Sequence, residues 1–298
     1  MSGIAEAIRE VFGESVSVTG RRAVSGGDCN EAYALTLSNG ETVFMKANRA
    51  EHLHFFTTEQ KGLALLASTG AVRVPRVLAY GVDEGERKAF LLMEMVQAGQ
   101  RTGDFWEDFG TRLGAMHRWD AAQTVPDGPF GLDHDNIIGF RPQINTPHTS
   151  FVDFYRDCRL APQIRDAEAA GYLSAADLRM ADNVMTRLSE WMIEPTHPSV
   201  LHGDLWSGNY MVGPDGRAML IDPAVYVGHP EADIAMTELF SGFPATFYDA
   251  YEAAAPLQPG YEDRRDLYHL YQMLNHLNQF GLSYYHSVHR ILQRYAAA

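Results

Sequence analysis

Two carboxylates and an amide, Asp204, Asn209 and Asp222, stand at a spacing that suits chemistry on a phosphate group. Asp204 follows His202 and Gly203 directly, and Asn209 comes five residues after Asp204. A carboxylate in such a loop can orient an acceptor hydroxyl and take its proton, and amide and carboxylate oxygens are ligands that Mg²⁺ accepts. The pattern predicts phosphoryl transfer from ATP, with Asp204 as the base and Asn209 and Asp222 as Mg²⁺ ligands.

The stretch between Asn209 and Asp222 has the pattern of a β-hairpin. Residues 214–216, Pro-Asp-Gly, are a turn signal, and apolar runs at 210–212 and 218–221 flank them. A hairpin there would bring Asp222 back beside Asn209. Either residue alone would more often be a capping or turn residue, but the combination at this spacing favours a phosphoryl-transfer site.

A glycine-containing loop near the start of the chain is the candidate phosphate-binding loop. It lies between two predicted strands, Ser15–Val24 and Tyr33–Leu37, and the turn Asn39-Gly40 leads into a third strand, Thr42–Lys46. Glycine lets a backbone approach phosphate oxygens closely. The loop lacks a complete Gly-x-Gly-x-x-Gly pattern, so an ordinary turn is the alternative. Its candidate contacts are Gly26, Gly27, Asp28, Cys29 and Asn30.

Lys46 and Glu59 are the predicted clamp on the ATP phosphates. Lys46 ends an apolar strand and is one of only three lysines in the chain, which favours a specific role over that of a surface lysine. Glu59 lies in a predicted helix, His54–Leu66, from which its carboxylate could pair with Lys46 and hold it over the phosphates. Glu51 is the competing partner, but it lies too close to the end of the strand.

The predicted adenine contact lies at the end of an apolar strand, Ala89–Met95. In a kinase-like arrangement this strand leads into a hinge, where backbone groups of Glu94, Met95 and Val96 could bond the edge of adenine. A strand that simply packs in a core satisfies the same pattern, and both descriptions can hold at once.

The order of the predicted elements indicates an α+β fold with two lobes, as in protein kinases. Residues 1–95 would form an ATP-binding lobe, a small antiparallel sheet plus one helix. Residues 96–298 would form a catalytic and substrate-binding lobe, mainly helical, with patterns such as Tyr261–Phe280 and with the catalytic hairpin as its only strands. The segment Asp120–Thr149 shows no periodicity and is predicted to be a long loop.

Charge is distributed unevenly along the chain. The 298 residues carry a formal net charge of −14, which argues against nucleic acids and anionic membranes as partners. Residues 96–298 hold 26 of the 38 acidic residues, with 14 arginines and no lysine. This excess of acidic residues favours solubility. Alternatively, it favours the binding of a neutral or cationic substrate. Two cysteines, no signal-peptide core and no membrane-length apolar run predict a cytoplasmic protein.

Several segments together resemble the fructosamine/ketosamine-3-kinase family, within the aminoglycoside-phosphotransferase and protein-kinase-like superfamily. The most discriminating are Trp206-Ser207 after His-Gly-Asp-Leu, and Pro223-Ala224 after Asp222. The resemblance runs from about residue 4 to residue 295. Its other segments are SGGDCNEAY at 25–33, DNIIG at 135–139, GHPEADIAMTELF at 228–240 and LNHLN at 274–278.

The resemblance implies a kinase that phosphorylates the 3-hydroxyl of ketosamines, the adducts of sugars with small amines or protein lysines. Phosphate on that carbon is a good leaving group, so the adduct then decomposes and frees the amine, which repairs glycated protein. The same resemblance gives Asp204, Asn209 and Asp222 the roles stated above, with ATP and Mg²⁺ as cofactors. The alternatives are another small-molecule kinase, of the aminoglycoside or choline kinase type, and a silent nucleotide-binding protein.

Trp206, His229 and Glu231 are the predicted substrate contacts. An aromatic face can stack on a sugar, and a carboxylate can bind hydroxyls or a cationic amine. Core packing is the alternative for Trp206. His202 and Asp233 are instead predicted to brace the catalytic loop, Asp233 through hydrogen bonds to backbone N–H groups.

Cys29 carries a redox hypothesis, because the resemblance implies that a cysteine at this position is a redox switch in some members. An intermolecular Cys29–Cys29 disulfide would then link two chains that are otherwise predicted to be monomeric. The alternative is a small inert residue that fits the turn. Treatment with mild peroxide and then with a thiol reductant separates the two. If Cys29 is a switch, the native chain loses activity and regains it, whereas Cys29→Ala keeps its activity throughout.

Overall fold

The computed structural model of the chain describes residues 3–24, 30–122, 124–125 and 127–297. These residues form two compact units. The first unit contains the described residues up to Phe105 together with Tyr210–Pro223, and the second contains Trp106–Asn209 and the described residues from Ala224 onward. Among the described residues, no helix is long and apolar enough to cross a membrane.

An antiparallel sheet of five strands forms the centre of the first unit, in the order β1–β2–β3–β5–β4. Side chains alternate between the two faces of a strand, so Met45 and Ala47 of β3 share one face and Phe44 and Lys46 the other. The strands are β1 (Val18–Ala23), β2 (Glu31–Leu37), β3 (Thr42–Arg49), β4 (Val77–Asp83) and β5 (Lys88–Glu94).

Two helices cover the faces of this sheet. Helix α1 (Ile4–Phe12) packs onto the face that carries Met45. Helix α2 (Leu53–Ser68) packs Phe56 and Leu63 onto the opposite face. Because Lys46 belongs to the face that α2 covers, this helix can bring a carboxylate to it.

The predicted hairpin is confirmed as β9 (Tyr210–Val212) and β10 (Ala218–Leu220), which pair antiparallel. Backbone hydrogen bonds attach it to the first unit. The N–H of Gly99 donates to the carbonyl of Val212 at 3.0 Å, and the N–H of Leu220 donates to the carbonyl of Arg73 at 2.8 Å. These bonds explain why the hairpin groups with the sheet, although the sequence assigned it to the helical lobe.

The second unit is mainly helical, and the α+β prediction is confirmed. Its central helix is α9, which buries Leu267, Leu270, Leu274 and Leu277 at helical spacing. A π-helical turn, Tyr155–Leu160, joins α4 to α5. The helices are α3 (Phe105–His117), α4 (Phe151–Phe154), α5 (Ala161–Ala169), α6 (Ala175–Thr186), α7 (Glu231–Glu238), α8 (Ala245–Ala254), α9 (Tyr261–Phe280) and α10 (Tyr285–Ala297).

Two further strand pairs lie in the second unit, so the prediction that the catalytic hairpin holds its only strands is wrong. Strands β6 (Asn136–Ile138) and β7 (Arg141–Gln143) form a hairpin inside the segment predicted as a loop. Strands β8 (Ser199–Leu201) and β11 (Tyr226–Gly228) pair antiparallel on either side of the catalytic stretch. Each strand has three residues, too few for an alternating pattern to be visible in the sequence.

Gly110 lies where α3 approaches α8 closely, and a Cβ there would collide with the carbonyl oxygen of Phe247. Alanine normally stabilises a helix relative to glycine. Here we expect Gly110→Ala to lower the free energy of unfolding by about 1–3 kcal/mol, because a helix backbone must shift. Urea denaturation measures the change. Gly103→Ala is the control, since a Cβ there meets nothing within 4 Å; a Gly110→Ala variant as stable as this control would contradict the packing.

Candidate active site

One group of candidate site residues is a cluster of charges in the first unit. The ammonium of Lys46 bonds to Glu59 Oε1 at 2.6 Å and to the carboxylate of Asp222. Burial alone would lower the pKa of Lys46, but the two carboxylates outweigh it and raise that pKa above its ordinary value. Lys46 therefore keeps its charge in a nearly buried position.

Asp222 has an unusual backbone conformation. Its φ of 53° lies in the left-handed region, which is uncommon for any residue other than glycine. Its side chain is 36% exposed, whereas the side chains of Lys46 and Glu59 are 10% and 13% exposed. Strained backbone of this kind is enriched at functional sites. Asp222 is thus the member of the cluster that is most open to a ligand.

Another group of candidate site residues lies in the second unit, in the loop 202–209. The amide nitrogen of Asn209 donates to the backbone carbonyl of Asp204 at 2.8 Å and to its Oδ2 at 2.9 Å. These two bonds fix the carboxylate of the candidate base against its own loop. Because they use the amide nitrogen, the amide oxygen of Asn209 is the atom left to bind a metal ion.

A buried carboxylate, that of Asp233 at the start of α7, holds this loop. Its Oδ2 accepts the N–H of His202 at 2.7 Å and its Oδ1 accepts the N–H of Gly203 at 2.9 Å. His117 Nε2 lies 3.2 Å from the same Oδ2. Burial alone would raise the pKa of Asp233, but these partners hold it below its ordinary value. The predicted bracing role of Asp233 is confirmed.

Glycine is required at position 203 because a second segment of the chain approaches it closely. Its φ is 84°, and a Cβ there would collide with the carbonyl oxygen of Ala224. The N–H of Ala224 donates to the carbonyl of His202 at 2.9 Å, and Nδ1 of His202 accepts the N–H of Asp204 at 3.2 Å. The histidine therefore braces the loop, as predicted.

Sequence analysis did not predict the buried polar network that lies behind this segment. Asn136 donates to the carbonyl of Val225 at 2.7 Å, and Gln143 donates to the carbonyl of Ala224 at 3.0 Å. Both side chains come from the β6–β7 hairpin. The segment DNIIG was one signal, because a buried polar residue in a stretch without periodicity often bonds to a backbone.

Arg159 closes the same network from the π-helical turn. It is fully buried and donates to Asn145 Oδ1 at 2.8 Å. Its guanidinium lies 4.0 Å from the ring centroid of Tyr226 and 4.6 Å from that of Phe154. Aromatic faces and carbonyl oxygens stabilise the buried cation in this position.

The structure places His229 and Glu231, two of the predicted substrate contacts, in buried positions. The carboxylate of Glu231 bonds to Arg264 and accepts the hydroxyl of Tyr268 at 3.0 Å. Burial lowers the pKa of His229 to about 3. These residues pack the second unit. Trp206, in contrast, is 37% exposed and stays a candidate for substrate contact.

The remaining predicted nucleotide contacts are only partly described. Four of them lie outside the described residues: Gly26, Gly27, Asp28 and Cys29. The redox hypothesis on Cys29 therefore concerns a residue that is not described. Asn30 Oδ1 accepts the amide of Asn48 at 2.8 Å. The N–H of Glu94 donates to the carbonyl of Arg76 at 2.9 Å, so an adenine contact at the end of β5 would use other backbone atoms, including those of Met95 and Val96.

Comparison with known proteins decides the family. The family model described as fructosamine kinase matches residues 1–298. This chain belongs to the fructosamine kinase family. It is 36% identical to a probable ketoamine kinase from Synechocystis sp., over 98% of this chain and 95% of that protein. It is also 36% identical to a chloroplastic protein-ribulosamine 3-kinase from Oryza sativa subsp. indica, over 95% of this chain and 80% of that one.

Solved structures share the fold of this fructosamine kinase family member. A protein from Haemophilus somnus assigned as a fructosamine-3-kinase superposes with a TM-score of 0.87 at 29% identity, covering 98% of this chain and 96% of that one. A choline kinase from Streptococcus pneumoniae superposes with a TM-score of 0.58 at 15% identity, covering 98% of each chain, and shares the fold alone.

The buried His229 should make the fold sensitive to acid. Its pKa is about 3 in the folded chain against an ordinary 6.5, so the unfolded chain binds the proton first as the pH falls. The contribution of neutral His229 is fully present above about pH 6.5 and is lost progressively between pH 6.5 and pH 3. We expect His229→Gln to reduce the slope of unfolding free energy against pH by about 1 kcal/mol per unit between pH 6 and pH 4.

Urea denaturation at several pH values measures that slope. The exposed His54 provides the control variant, His54→Gln, which should leave the slope between pH 6 and pH 4 less affected. Identical slopes in the native chain and in His229→Gln would show that the buried imidazole is not the acid-sensitive group.

Proposed function

We propose that this chain is an ATP-dependent kinase that phosphorylates the 3-hydroxyl of ketosamines, carried either on small amines or on protein lysines. The observation that carries the proposal is the Lys46 ammonium held between Glu59 and Asp222, the set of charges with which a kinase binds ATP. The names of the relatives, ketoamine kinase and protein-ribulosamine 3-kinase, support the substrate class.

Asp204 is the general base in this proposal. Its carboxylate takes the proton of the 3-hydroxyl while the hydroxyl oxygen bonds to the γ-phosphorus of ATP. The bond from that phosphorus to the bridging oxygen breaks, and ADP leaves. Asn209 orients the carboxylate through its 2.9 Å hydrogen bond, and the exposed face of Trp206, two residues after the base, suits stacking on the sugar.

Asn209 and Asp222 supply the oxygens that would hold Mg²⁺. Within the described part of the chain, no group of three or more His, Cys, Asp or Glu side chains could hold a metal ion by itself. An amide oxygen and one carboxylate fit Mg²⁺ in kinases, because this ion usually keeps waters and phosphate oxygens among its ligands. When bound, the ion would neutralise charge on the phosphates.

A screen of ATP consumption tests the proposed function and its alternatives. Ribuloselysine and fructoselysine are offered alongside choline and kanamycin, each with and without Mg²⁺. We expect ADP to form with the ketosamines and with Mg²⁺ only. Turnover of choline or kanamycin alone would indicate another small-molecule kinase, and no turnover of any acceptor would indicate a silent nucleotide-binding protein.

Asp204→Asn keeps the shape of the side chain and removes the base. We expect turnover of the ketosamine to fall by about 10² or more, while the affinity for ATP changes little, because general-base catalysis contributes roughly 10²–10⁴. Steady-state kinetics give the first quantity and calorimetry the second. Asp182→Asn, at an exposed position, controls for the loss of a charge. Near-native turnover in Asp204→Asn would rule out this role.

Asp222→Ala tests the metal and phosphate role of that carboxylate. We expect the Mg²⁺-dependent part of the ATP affinity to disappear, since Asp222 is the only charged ligand proposed for the ion and Asn209 offers a neutral oxygen. Asp215→Ala, which removes an exposed partner of Arg73 from the same hairpin, is the matched control and should bind Mg-ATP normally. Equal Mg-ATP affinities in the two variants, measured by calorimetry, would exclude Asp222 as a ligand.

A further inference from the structure

A continuous row of aromatic rings leads away from the catalytic loop across the second unit. The centroid of Trp206 lies 6.2 Å from that of Phe240, which lies 5.1 Å from His276. His276 in turn lies 5.6 Å from Phe280 and 5.0 Å from Tyr284. One further ring, at the turn of the β6–β7 hairpin, packs edge-on against the row. We call this set the aromatic platform: Phe140, Trp206, Phe240, His276, Phe280 and Tyr284.

Four rings of the aromatic platform are open to solvent. Trp206 is 37% exposed, Phe240 39%, Phe140 44% and Phe280 48%. Single exposed apolar residues are normal on a protein surface, whereas a contiguous exposed patch marks a binding surface. Phe240 also has a φ of 55°, a strained conformation for a bulky residue. Burial of its ring does not explain this strain, because the ring is exposed.

His276 gives the aromatic platform a polar contact at its centre. Its Nδ1 donates to the carbonyl of Gln272 at 2.8 Å, so Nε2 carries the lone pair and can accept a hydrogen bond. Burial lowers the pKa of His276, which keeps the ring neutral near pH 7. A neutral acceptor among aromatic faces suits a ligand that has an N–H donor, a positive charge and an apolar part.

We propose that the aromatic platform binds the amine-bearing part of the substrate and selects ketosamines whose amine carries an aromatic or long aliphatic group. This inference rests on the proposed function. Trp206 comes two residues after the candidate base. When the sugar binds at Trp206, its amine substituent would therefore lie along the aromatic platform. The ketosamine nitrogen is a secondary amine, protonated at neutral pH, and cations are attracted to aromatic faces.

The charge of the chain agrees with this occupant. Residues 96–298 carry 26 acidic residues against 14 arginines, and such an excess favours the approach of a cation. The rings then supply the contact area that distinguishes an apolar amine from a small polar one. An anionic amine, such as an amino acid joined to the sugar through its α-nitrogen, would lose the electrostatic part of this attraction.

Two fructosamines of equal charge, made from ethanolamine and from benzylamine, test the inference. We expect the native chain to favour the benzyl adduct by about tenfold in kcat/KM, mainly through KM, as an aromatic contact worth roughly one power of ten would give. Phe280→Ala should lower kcat/KM for the benzyl adduct by about tenfold and so remove the preference. Phe280→Leu, which keeps apolar bulk, should retain part of it.

Tyr80→Ala is the matched control, because Tyr80 is 43% exposed on β4 of the first unit, outside the aromatic platform. It should keep the full preference for the benzyl adduct. Melting temperatures of all variants identify any loss that comes from unfolding. A preference lost equally in Tyr80→Ala and Phe280→Ala would overturn the assignment to the aromatic platform.

Calorimetric titration of both adducts separates failure of this inference from failure of the proposed function. Tighter binding of the benzyl adduct that Phe280→Ala abolishes supports the aromatic platform even where no phosphate is transferred. Equal affinities and equal kcat/KM values for the two adducts would overturn the inference and leave the kinase proposal intact. Sedimentation of the native chain as a dimer that Phe280→Ala dissociates would also overturn it, because a second copy would then cover the rings.

Discussion

The hydrogen bonds from the His202 and Gly203 N–H groups to Asp233 are the interaction on which the loop of the candidate base depends. A sharp loop has no helix or sheet ladder to satisfy these donors, and a buried N–H without a partner costs about 1–3 kcal/mol. Asp233 accepts both bonds with one buried carboxylate, which His117 stabilises. Because the candidate base follows Gly203 directly, its position depends on that carboxylate.

In the first unit, two carboxylates stabilise a buried lysine. A buried cation is costly unless it is paired, and Lys46 faces two carboxylates, those of Glu59 and Asp222. The less exposed Glu59 holds the lysine in place from α2. The second carboxylate adds more negative charge than one lysine neutralises, which suits a site that receives a metal ion with its phosphates. In our account, Asp222 is therefore shared between lysine and ligand.

The sequence predicted those parts of the fold and site that depend on short-range patterns. Two short apolar runs and the Pro-Asp-Gly turn between them identified the β9–β10 hairpin, and the position of Asp233 early in a helix indicated a brace. The burial of His229 and Glu231 was not predicted, because Glu231 bonds to Arg264, thirty-three residues later, and no local pattern pairs the two. The β6–β7 hairpin was missed because its strands are held by side-chain bonds to Ala224 and Val225 rather than by an apolar stripe.

Turnover of an Asp233→Asn variant at saturating ATP and ketosamine tests this account most directly. The substitution keeps the shape of the side chain but replaces one acceptor oxygen with a donor, so one of the two loop N–H groups loses its partner. We predict that turnover falls by on the order of 10², since small misplacements of a catalytic group cost about that much. ATP affinity should stay within about twofold, because the Lys46 cluster is untouched. A folded variant with native turnover would contradict the account.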